Sequence, residues 1–184
     1  EEPVDLAILM IPSEYVEEAI RVCGEKGVRC MTIITSGFSE AIEGGRKREI
    51  AMAELARSYG MRLLGPNVSG TFNLHAGFHA SAAFPGHLYP TSLAAVLQGG
   101  MAFADQLAQG LPLRMGVGKF IHTGNECDLT VTDFLEHFGA DPEVKAITMY
   151  LETIRDAGRF MEVARRVTKE KPVIVYKAGK TPDA

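Results

Sequence analysis

The sequence predicts an α/β protein made of two lobes, each built around a parallel sheet. Apolar runs of strand length alternate with amphipathic runs of helix length, which is the pattern of successive β-α-β units. The strands are almost continuously apolar, as expected of parallel strands buried on both faces. The alternation stops at residues 66–91, which are rich in glycine, proline, histidine and small residues. We therefore expect a boundary between the lobes there.

The first lobe is expected to hold three strands and two helices. The strands are predicted over residues 5–11, 28–35 and 61–65, and the helices over 13–26 and 46–59. Ser13 is predicted to be the N-cap of the first helix, because three glutamates follow it and acidic side chains favour a helix N-terminus.

The second lobe resumes the same alternation. Strands are predicted over residues 92–98, 118–123, 144–151 and 172–177, with helices from the glycine turn to about 109, over 130–138 and over 157–169. This order is that of a small doubly wound sheet. Ligands of such sheets bind outside the carboxyl ends of the strands, so we expect function in the turns that follow them.

Bulk composition narrows the class of protein. Its 184 residues are 46% hydrophobic, enough for real cores, and the net charge of −4 with interspersed basic residues does not indicate a nucleic-acid or membrane-surface partner. Three cysteines without a C-x-x-C pair suggest neither disulfides nor a metal site, and predict a reducing, cytoplasmic location. The chain begins without methionine and soon enters a strand, so we expect a piece of a longer protein.

The turns after the strands share one chemistry. They are rich in glycine, serine, threonine and asparagine, which let backbone N–H groups approach an anion or bond it directly. Taken singly, each is better explained as a helix cap or a tight bend. Together they favour a phosphate-bearing ligand; they lie at residues 12–13, 35–37, 65–67, 98–100, 124–125, 152 and 178–180.

Glu152 differs from the other turn positions because its side chain is a carboxylate. It directly follows an apolar strand, where we expect a semi-buried carboxylate facing a ligand. An ion pair with Arg155, or a favourable charge at the N-terminus of the next helix, explains it equally well from physics alone. None of the five histidines has a nucleophile beside it or the spacing of a metal pair, so none is assigned a catalytic role.

Seven segments in this order resemble the NDP-forming acyl-CoA synthetases, the acid-thiol ligase family that includes ADP-forming acetate-CoA ligase and the succinyl-CoA synthetase α subunit. They are VDLAILMIPSEYV, IITSGFSE, RLLGPNVSGTFN, the QGG turn, TGNECDLTVTDFLE, DPEVKAITMYLE and KPVIVYKAGKT. The resemblance implies an enzyme that makes a thioester from a carboxylic acid, CoA and ATP or GTP, through an acyl phosphate and a phosphohistidine.

The resemblance also implies domains and partners. Residues 1–75 would be the later part of a Rossmann-like CoA-binding domain, 76–91 a connector and 92–184 a flavodoxin-like ligase domain. Coenzyme A is the implied cofactor. ATP or GTP with Mg²⁺ would bind on an ATP-grasp domain or β subunit outside this chain, and an oligomer is expected.

Site residues are implied in both lobes. In the first, the positions matching the family's CoA site are Pro12, Ser13, Ile34, Thr35, Ser36 and Asn67. In the second, Gly99, Gly100 and Met101 match the helix N-terminus that holds phosphate, Asn125 is counted among the ligand-binding positions, and Glu152 matches the acid that orients the phosphorylated histidine.

Two departures from the family pattern leave two hypotheses. The phosphate turn reads LQGG where SQSG is usual, and the phosphohistidine segment that follows KxGRT in the family is absent. One hypothesis is the core of a working synthetase, inactive alone. The other is a non-catalytic CoA-binding or interaction module of the same fold, which the LQGG turn would favour.

Overall fold

A computed structural model describes residues 3–82, 88–99 and 111–179. It confirms the α/β class and divides the chain into two compact units. One comprises the chain up to Val68 together with Thr123–Leu129, and the other comprises Ser69–His122 and the chain from Thr130 onwards. No helix in the described residues is long and apolar enough to cross a membrane.

The first unit is a parallel sheet with two helices. Its strands are β1 (Leu6–Leu9), β2 (Cys30–Ile33) and β3 (Arg62–Leu64), paired in the order β1-β2-β3, and its helices are α1 (Val16–Glu25) and α2 (Gly45–Ser58). Helix α1 buries Val16, Ile20 and Gly24, spaced one turn apart, so a single face meets the core. That core includes Met31, Ile33, Met52, Met61 and Leu63.

The N-cap prediction for Ser13 is wrong. Residues Ser13–Tyr15 form a 3₁₀ turn with Pro12 at its N-cap, and α1 begins only at Val16 without a side-chain cap. The Ser13 hydroxyl instead faces the loop after β2, since a β-carbon on Gly37 would lie 3.3 Å from its Oγ. The polar side chain that resembled a cap in the sequence is thus turned toward the carboxyl edge of the sheet.

The second unit has a mixed sheet, whose strands lie in the order β5 (Phe78–Ser81), β4 (Gly70–Asn73), β7 (Lys119–His122), β6 (Leu93–Leu97), β8 (Ala146–Leu151) and β9 (Val173–Lys177). Strands β6, β7, β8 and β9 are parallel, as predicted, and α3 (Val131–Ala140) and α4 (Ala157–Val167) join the last three. Helix α4 buries Phe160, Val163 and Val167, again on one face. The helix predicted between the glycine turn and residue 109 lies outside the described residues.

The hairpin β4 (Gly70–Asn73) and β5 (Phe78–Ser81) was not predicted. Strand β4 runs antiparallel to both β5 and β7, so part of the stretch 66–91, where no strand was expected, forms two strands of the mixed sheet. Phe72 is buried and stacks on Phe120 with ring centroids 5.1 Å apart, which anchors the hairpin. Because β4 pairs with β7, residues 69–75 belong to the second unit and not to the first.

The segment Thr123–Leu129 also differs from the sequence-based division, because it belongs to the first unit. Its backbone continues alongside β3: the Cys127 N–H donates to the carbonyl of Gly65 at 3.0 Å, and the Leu129 N–H to that of Leu63 at 3.1 Å. The carboxylate of Asp128 accepts bonds from Arg57 and Arg62. The sequence places this segment between two elements of the second lobe, and such long-range pairing is invisible in it.

Candidate functional site

The carboxyl ends of β1, β2 and β3 meet at one edge of the first unit. The Thr35 hydroxyl donates to the Ile11 carbonyl at 2.7 Å, and the Asn67 N–H donates to the Thr35 carbonyl at 3.0 Å. These bonds connect the loops after all three strands. The first-lobe positions predicted to bind a ligand, Pro12, Ser13, Ile34, Thr35, Ser36 and Asn67, all lie in these loops.

This edge exposes both hydroxyl groups and apolar surface. Ser36 is exposed, and Ser13 and Thr35 are half-buried. In the same loops, Met10 is 68% exposed and Tyr15 is 59% exposed. The arrangement suits a ligand with polar groups along a partly apolar chain.

Gly124 and Asn125 bring a fourth segment to this edge. Gly124 has φ 57° and no room for a side chain, since a β-carbon would lie 2.3 Å from the Pro66 carbonyl oxygen. The Asn125 N–H donates to that same carbonyl at 3.0 Å, and Asn67 Nδ2 lies 3.3 Å from Asn125 Oδ1. The structure therefore brings the two predicted asparagines together, although Asn125 was placed in the other lobe.

The Asn125 amide bridges two carboxylates. Its Nδ2 donates to Glu49 Oε1 at 2.8 Å and to Glu40. Glu49 is fully buried, and also accepts from the Ser39 N–H at 3.1 Å and from Arg46 at 2.9 Å. Burial acts to raise the pKa of Glu49, but these hydrogen bonds outweigh it and hold that pKa below its usual range. The asparagine side chain is thus engaged within the protein, holding the SGFSE loop.

Replacing Asn125 by aspartate is expected to destabilise the first unit by about 2 kcal/mol or more at pH 7, since a third carboxylate would face Glu40 and Glu49. Repulsion raises the pKa of the new side chain above its unfolded value, so the deficit should shrink as the pH falls and that side chain becomes protonated. Denaturant unfolding at pH 7 and pH 5 checks this. Asn125→Ser is the uncharged control, and an equal deficit at both pH values would contradict the electrostatic account.

In the second unit, Gln98 joins the turn after β6 to the loop after β8. Its side chain is buried, with Oε1 accepting from the N–H groups of Glu152 at 2.6 Å and Thr153 at 2.9 Å. Its Nε2 donates to the Thr153 hydroxyl at 3.2 Å, and its N–H donates to the Tyr150 carbonyl at 3.0 Å. The backbones of Gly99 and Glu152 are consequently fixed near each other.

Glu152 is exposed, and the expectation of a semi-buried carboxylate is wrong. Its Oε1 lies over Gly99, where a β-carbon would approach within 2.8 Å. The N-cap of α4 is Asp156, which accepts from the Arg159 N–H at 2.9 Å, so the helix-terminus explanation for Glu152 loses its support. An ion pair between this exposed carboxylate and Arg155 would contribute little to stability. The structure thus places the Glu152 carboxylate over the glycine turn and open to solvent, and its role toward a ligand stays a prediction.

Gly100 and Met101, the other predicted residues of the glycine turn, lie outside the described residues, and their role stays a prediction. Sequence reasoning missed Gln98 and Lys177 as neighbours of Glu152. Lys177 ends β9, and its ammonium group donates to the Glu152 carbonyl at 2.9 Å. The available signal was its position, because Lys177 is the last residue of an apolar strand and Glu152 directly follows one.

Comparisons with known proteins support the family resemblance seen in the sequence. Residues 90–184 match the family model described as the succinyl-CoA ligase like flavodoxin domain. The α subunit of ADP-forming acetate–CoA ligase II from Pyrococcus furiosus is 42% identical over 186 residues, covering 97% of this chain and 38% of the relative. The ADP-forming 4-hydroxybutyrate–CoA ligase of Nitrosopumilus maritimus is 33% identical, covering 98% of this chain and 26% of the relative.

A solved structure shows the same fold. The apo form of the dinucleotide-forming acetyl-coenzyme A synthetase 1 of Ca. Korarchaeum cryptofilum superposes with a TM-score of 0.90 at 36% identity, covering 98% of this chain and 39% of that one. The present chain thus spans about two fifths or less of the length of these relatives. From its motifs, its fold and these matches, the chain belongs to the NDP-forming acyl-CoA synthetase family.

Proposed function

We propose that this chain supplies the CoA-binding and phosphohistidine-receiving parts of an NDP-forming acyl-CoA ligase. The observation that carries the proposal is the grouping of predicted residues at two sheet edges: Thr35 with Asn67 in the first unit, and Gly99 with Glu152 in the second. The relatives are named as ADP-forming CoA ligases, and we infer the same reaction class for the complete protein.

The proposed reaction proceeds in three transfers. A phosphoryl group passes from ATP or GTP to a histidine outside this chain, releasing the nucleoside diphosphate. It then passes to the carboxylate of the acid, giving an acyl phosphate and restoring the histidine. The CoA thiol finally attacks the acyl carbon, so the C–S bond forms, the C–O bond to phosphate breaks and inorganic phosphate leaves.

Coenzyme A would be held by the loops of the first unit. The residues present fit it: the exposed Ser36 and the half-buried Ser13 and Thr35, beside exposed apolar side chains, match the amide-bearing, partly apolar pantetheine arm. Pro12, Ser13, Ile34, Thr35, Ser36 and Asn67 would contact it. The nucleotide with Mg²⁺ would bind on an ATP-grasp domain or β subunit outside this chain, and we also propose an oligomeric, cytoplasmic enzyme.

Glu152 would orient the incoming histidine. A carboxylate that accepts the N–H of one ring nitrogen leaves the other nitrogen unprotonated and nucleophilic. It also stabilises the positive charge that the ring gains on phosphorylation. Gly99, Gly100 and Met101 would offer backbone N–H groups to the phosphoryl oxygens at the start of a helix.

The alternative function is a non-catalytic CoA-binding or interaction module. The argument for it is that Leu97 and Gly99 of the LQGG turn stand where hydroxyl side chains are common in the family. The structure offers a steric reason for glycine at position 99. A β-carbon there would lie 2.8 Å from both Glu152 Oε1 and Tyr150 Cε1, so glycine leaves room for the acid. Serine is usual at this position in the family beside the same acid, so the glycine itself does not decide between the two functions; the retained Glu152 supports the enzyme.

Gly99→Ala is accordingly expected to displace the Glu152 carboxylate and to lower the rate of histidine phosphorylation about tenfold. The backbone of Gly99 has no positive φ, so alanine adds bulk without backbone strain. Rapid-quench phosphorylation of the complete protein measures the effect, with Gly158→Ala as a control, since a β-carbon there meets nothing closer than 3.4 Å. A variant as fast as the wild type would show that the acid does not need this space.

The experiment that tests the function is a steady-state assay of the complete protein with its nucleotide-binding partner. ATP or GTP, CoA and a panel of carboxylic acids are supplied, and nucleoside diphosphate and thioester are measured together. Equal amounts of the two products with at least one acid are expected. CoA binding by calorimetry without turnover on any acid would favour the non-catalytic module, and absence of both would refute the proposal.

A further inference from the structure

A buried histidine ends β7 and is bonded through both ring nitrogens. His122 is 7% exposed; its Nδ1 lies 2.7 Å from the Ser69 N–H donor, and its Nε2 lies 2.7 Å from the Gln98 carbonyl oxygen. A backbone N–H can only donate, so Nδ1 is the acceptor. The neutral ring then carries its proton on Nε2, and this N–H donates a hydrogen bond to the Gln98 carbonyl. Burial lowers the pKa of His122, which agrees with a neutral ring.

This bond controls one particular peptide plane. The Gln98 carbonyl and the Gly99 N–H belong to the same peptide unit, and in a planar trans peptide they point in opposite directions. A donor that fixes the carbonyl therefore fixes the direction of the Gly99 N–H. The Gln98 side chain is separately held by the loop that begins at Glu152.

We propose that His122 is a positioning residue for phosphoryl transfer, which aims the Gly99 N–H by holding the Gln98 carbonyl. The inference rests on the proposed function, in which Gly99 helps to bind the phosphoryl group. His122 does not touch the reacting atoms in this account. It acts through the backbone of the turn, and its proton stays on Nε2 throughout.

Two substitutions separate its two hydrogen bonds. Glutamine places an amide nitrogen near the position of Nε2 and can still donate to the Gln98 carbonyl, whereas asparagine places an oxygen near Nδ1 and retains only the bond from Ser69. In the complete protein with its nucleotide-binding partner, His122→Asn should slow histidine phosphorylation from labelled ATP about tenfold. His122→Gln should remain within about threefold of the wild type. CoA affinity, measured by calorimetry, should change in neither.

The outcomes decide between positioning and mere packing. Equal losses in both variants, or no loss in either, would overturn the proposal, because only the bond to the Gln98 carbonyl distinguishes them. Thermal unfolding of each variant shows whether it is folded. If neither variant folds, NMR of the ¹⁵N-labelled histidines in the wild-type complete protein decides: a neutral ring protonated on Nε2 at pH 7 is expected, and protonation on Nδ1 would overturn the inference.

Failure of the proposed function looks different. If the wild-type protein takes up no phosphoryl group from ATP or GTP, the proposed phosphoryl-transfer reaction is refuted. The histidine tautomer would still show whether the ring donates to the Gln98 carbonyl. If the wild type is phosphorylated and the His122→Asn variant is phosphorylated at the same rate, only the positioning role of His122 is refuted.

Discussion

Replacing Glu152 by glutamine is expected to slow histidine phosphorylation by about 10²-fold or more while leaving CoA affinity unchanged. Glutamine keeps the shape of the side chain, so the space over Gly99 stays filled. It lacks the negative charge that would stabilise the ring as it gains a phosphoryl group. The loops proposed to bind CoA belong to the other compact unit, which is why the two effects should separate.

Rapid-quench labelling with γ-labelled ATP and calorimetric titration of CoA measure the two quantities in the complete protein. Glu162→Gln is the matched control, because Glu162 is an exposed acid on α4, away from the turns after the strands. Unchanged phosphorylation in Glu152→Gln would remove Glu152 from the proposed catalytic residues. A parallel loss of CoA binding would show that the substitution perturbs more than the phosphoryl site.

The second large effect concerns stability. Asp128→Ala is expected to lower the free energy of unfolding by about 2–4 kcal/mol, because the Asp128 side chain is fully buried and accepts several hydrogen bonds. Arg57 lies 2.7 Å from Oδ1, Arg62 lies 2.7 Å from Oδ2, and the Leu63 N–H donates to Oδ2 at 3.0 Å. Removal of the Asp128 carboxylate leaves the buried Leu63 N–H without its acceptor. It also loosens the segment Thr123–Leu129, which carries Asn125.

The pH dependence of stability gives an independent check on Asp128. Burial acts to raise its pKa, but the bonds from Arg62, Leu63 and Arg57 outweigh it and hold the pKa below its usual range. A lowered folded-state pKa means that the contribution is complete above the unfolded value of about 3.9 and is lost as the pH falls through the folded value. Asp128→Asn should therefore flatten the stability curve between about pH 5 and pH 2.

Denaturant unfolding of Asp128→Ala, Arg62→Ala and the double variant supplies the control for this ion pair. Arg62 is 48% exposed, so its own removal should cost less than removal of the buried acid. The double variant should be less destabilised than the sum of the two single variants. Strict additivity, or a loss below about 0.5 kcal/mol in Asp128→Ala, would contradict the assigned role.

The strands and helices with a strong periodic signal were predictable from the sequence. Strand β8 and helix α4 begin and end within two residues of their predicted limits, because buried apolar runs and a single apolar helix face leave few alternatives. The β4–β5 hairpin could not be predicted, because Phe72 is the only fully buried large side chain in it. Its stability comes from pairing with β7, which is nearly 50 residues away in the sequence.

The part of the candidate site that lies at the ends of parallel strands could be predicted from the sequence. Parallel strands end at the same edge, so the positions after β1, β2 and β3 could be expected to meet, and Thr35 and Asn67 do. Asn125 could not be placed, because its segment lies between two elements of the second lobe in the sequence but pairs with β3 in the first unit. His122 was passed over because a lone histidine at a strand end carries no sequence signal. Its role depends on which groups its two ring nitrogens meet.

We propose that this chain receives a phosphoryl group at one sheet edge and binds CoA at another. Single-turnover labelling of the complete protein with its nucleotide-binding partner tests it most directly. We expect an acid-labile, base-stable phosphohistidine that the carboxylic acid and CoA together discharge to thioester and inorganic phosphate. Its formation should be severely slowed in Glu152→Gln. A wild-type protein that binds CoA but forms no phosphohistidine, or forms one that acid and CoA do not discharge, would contradict it.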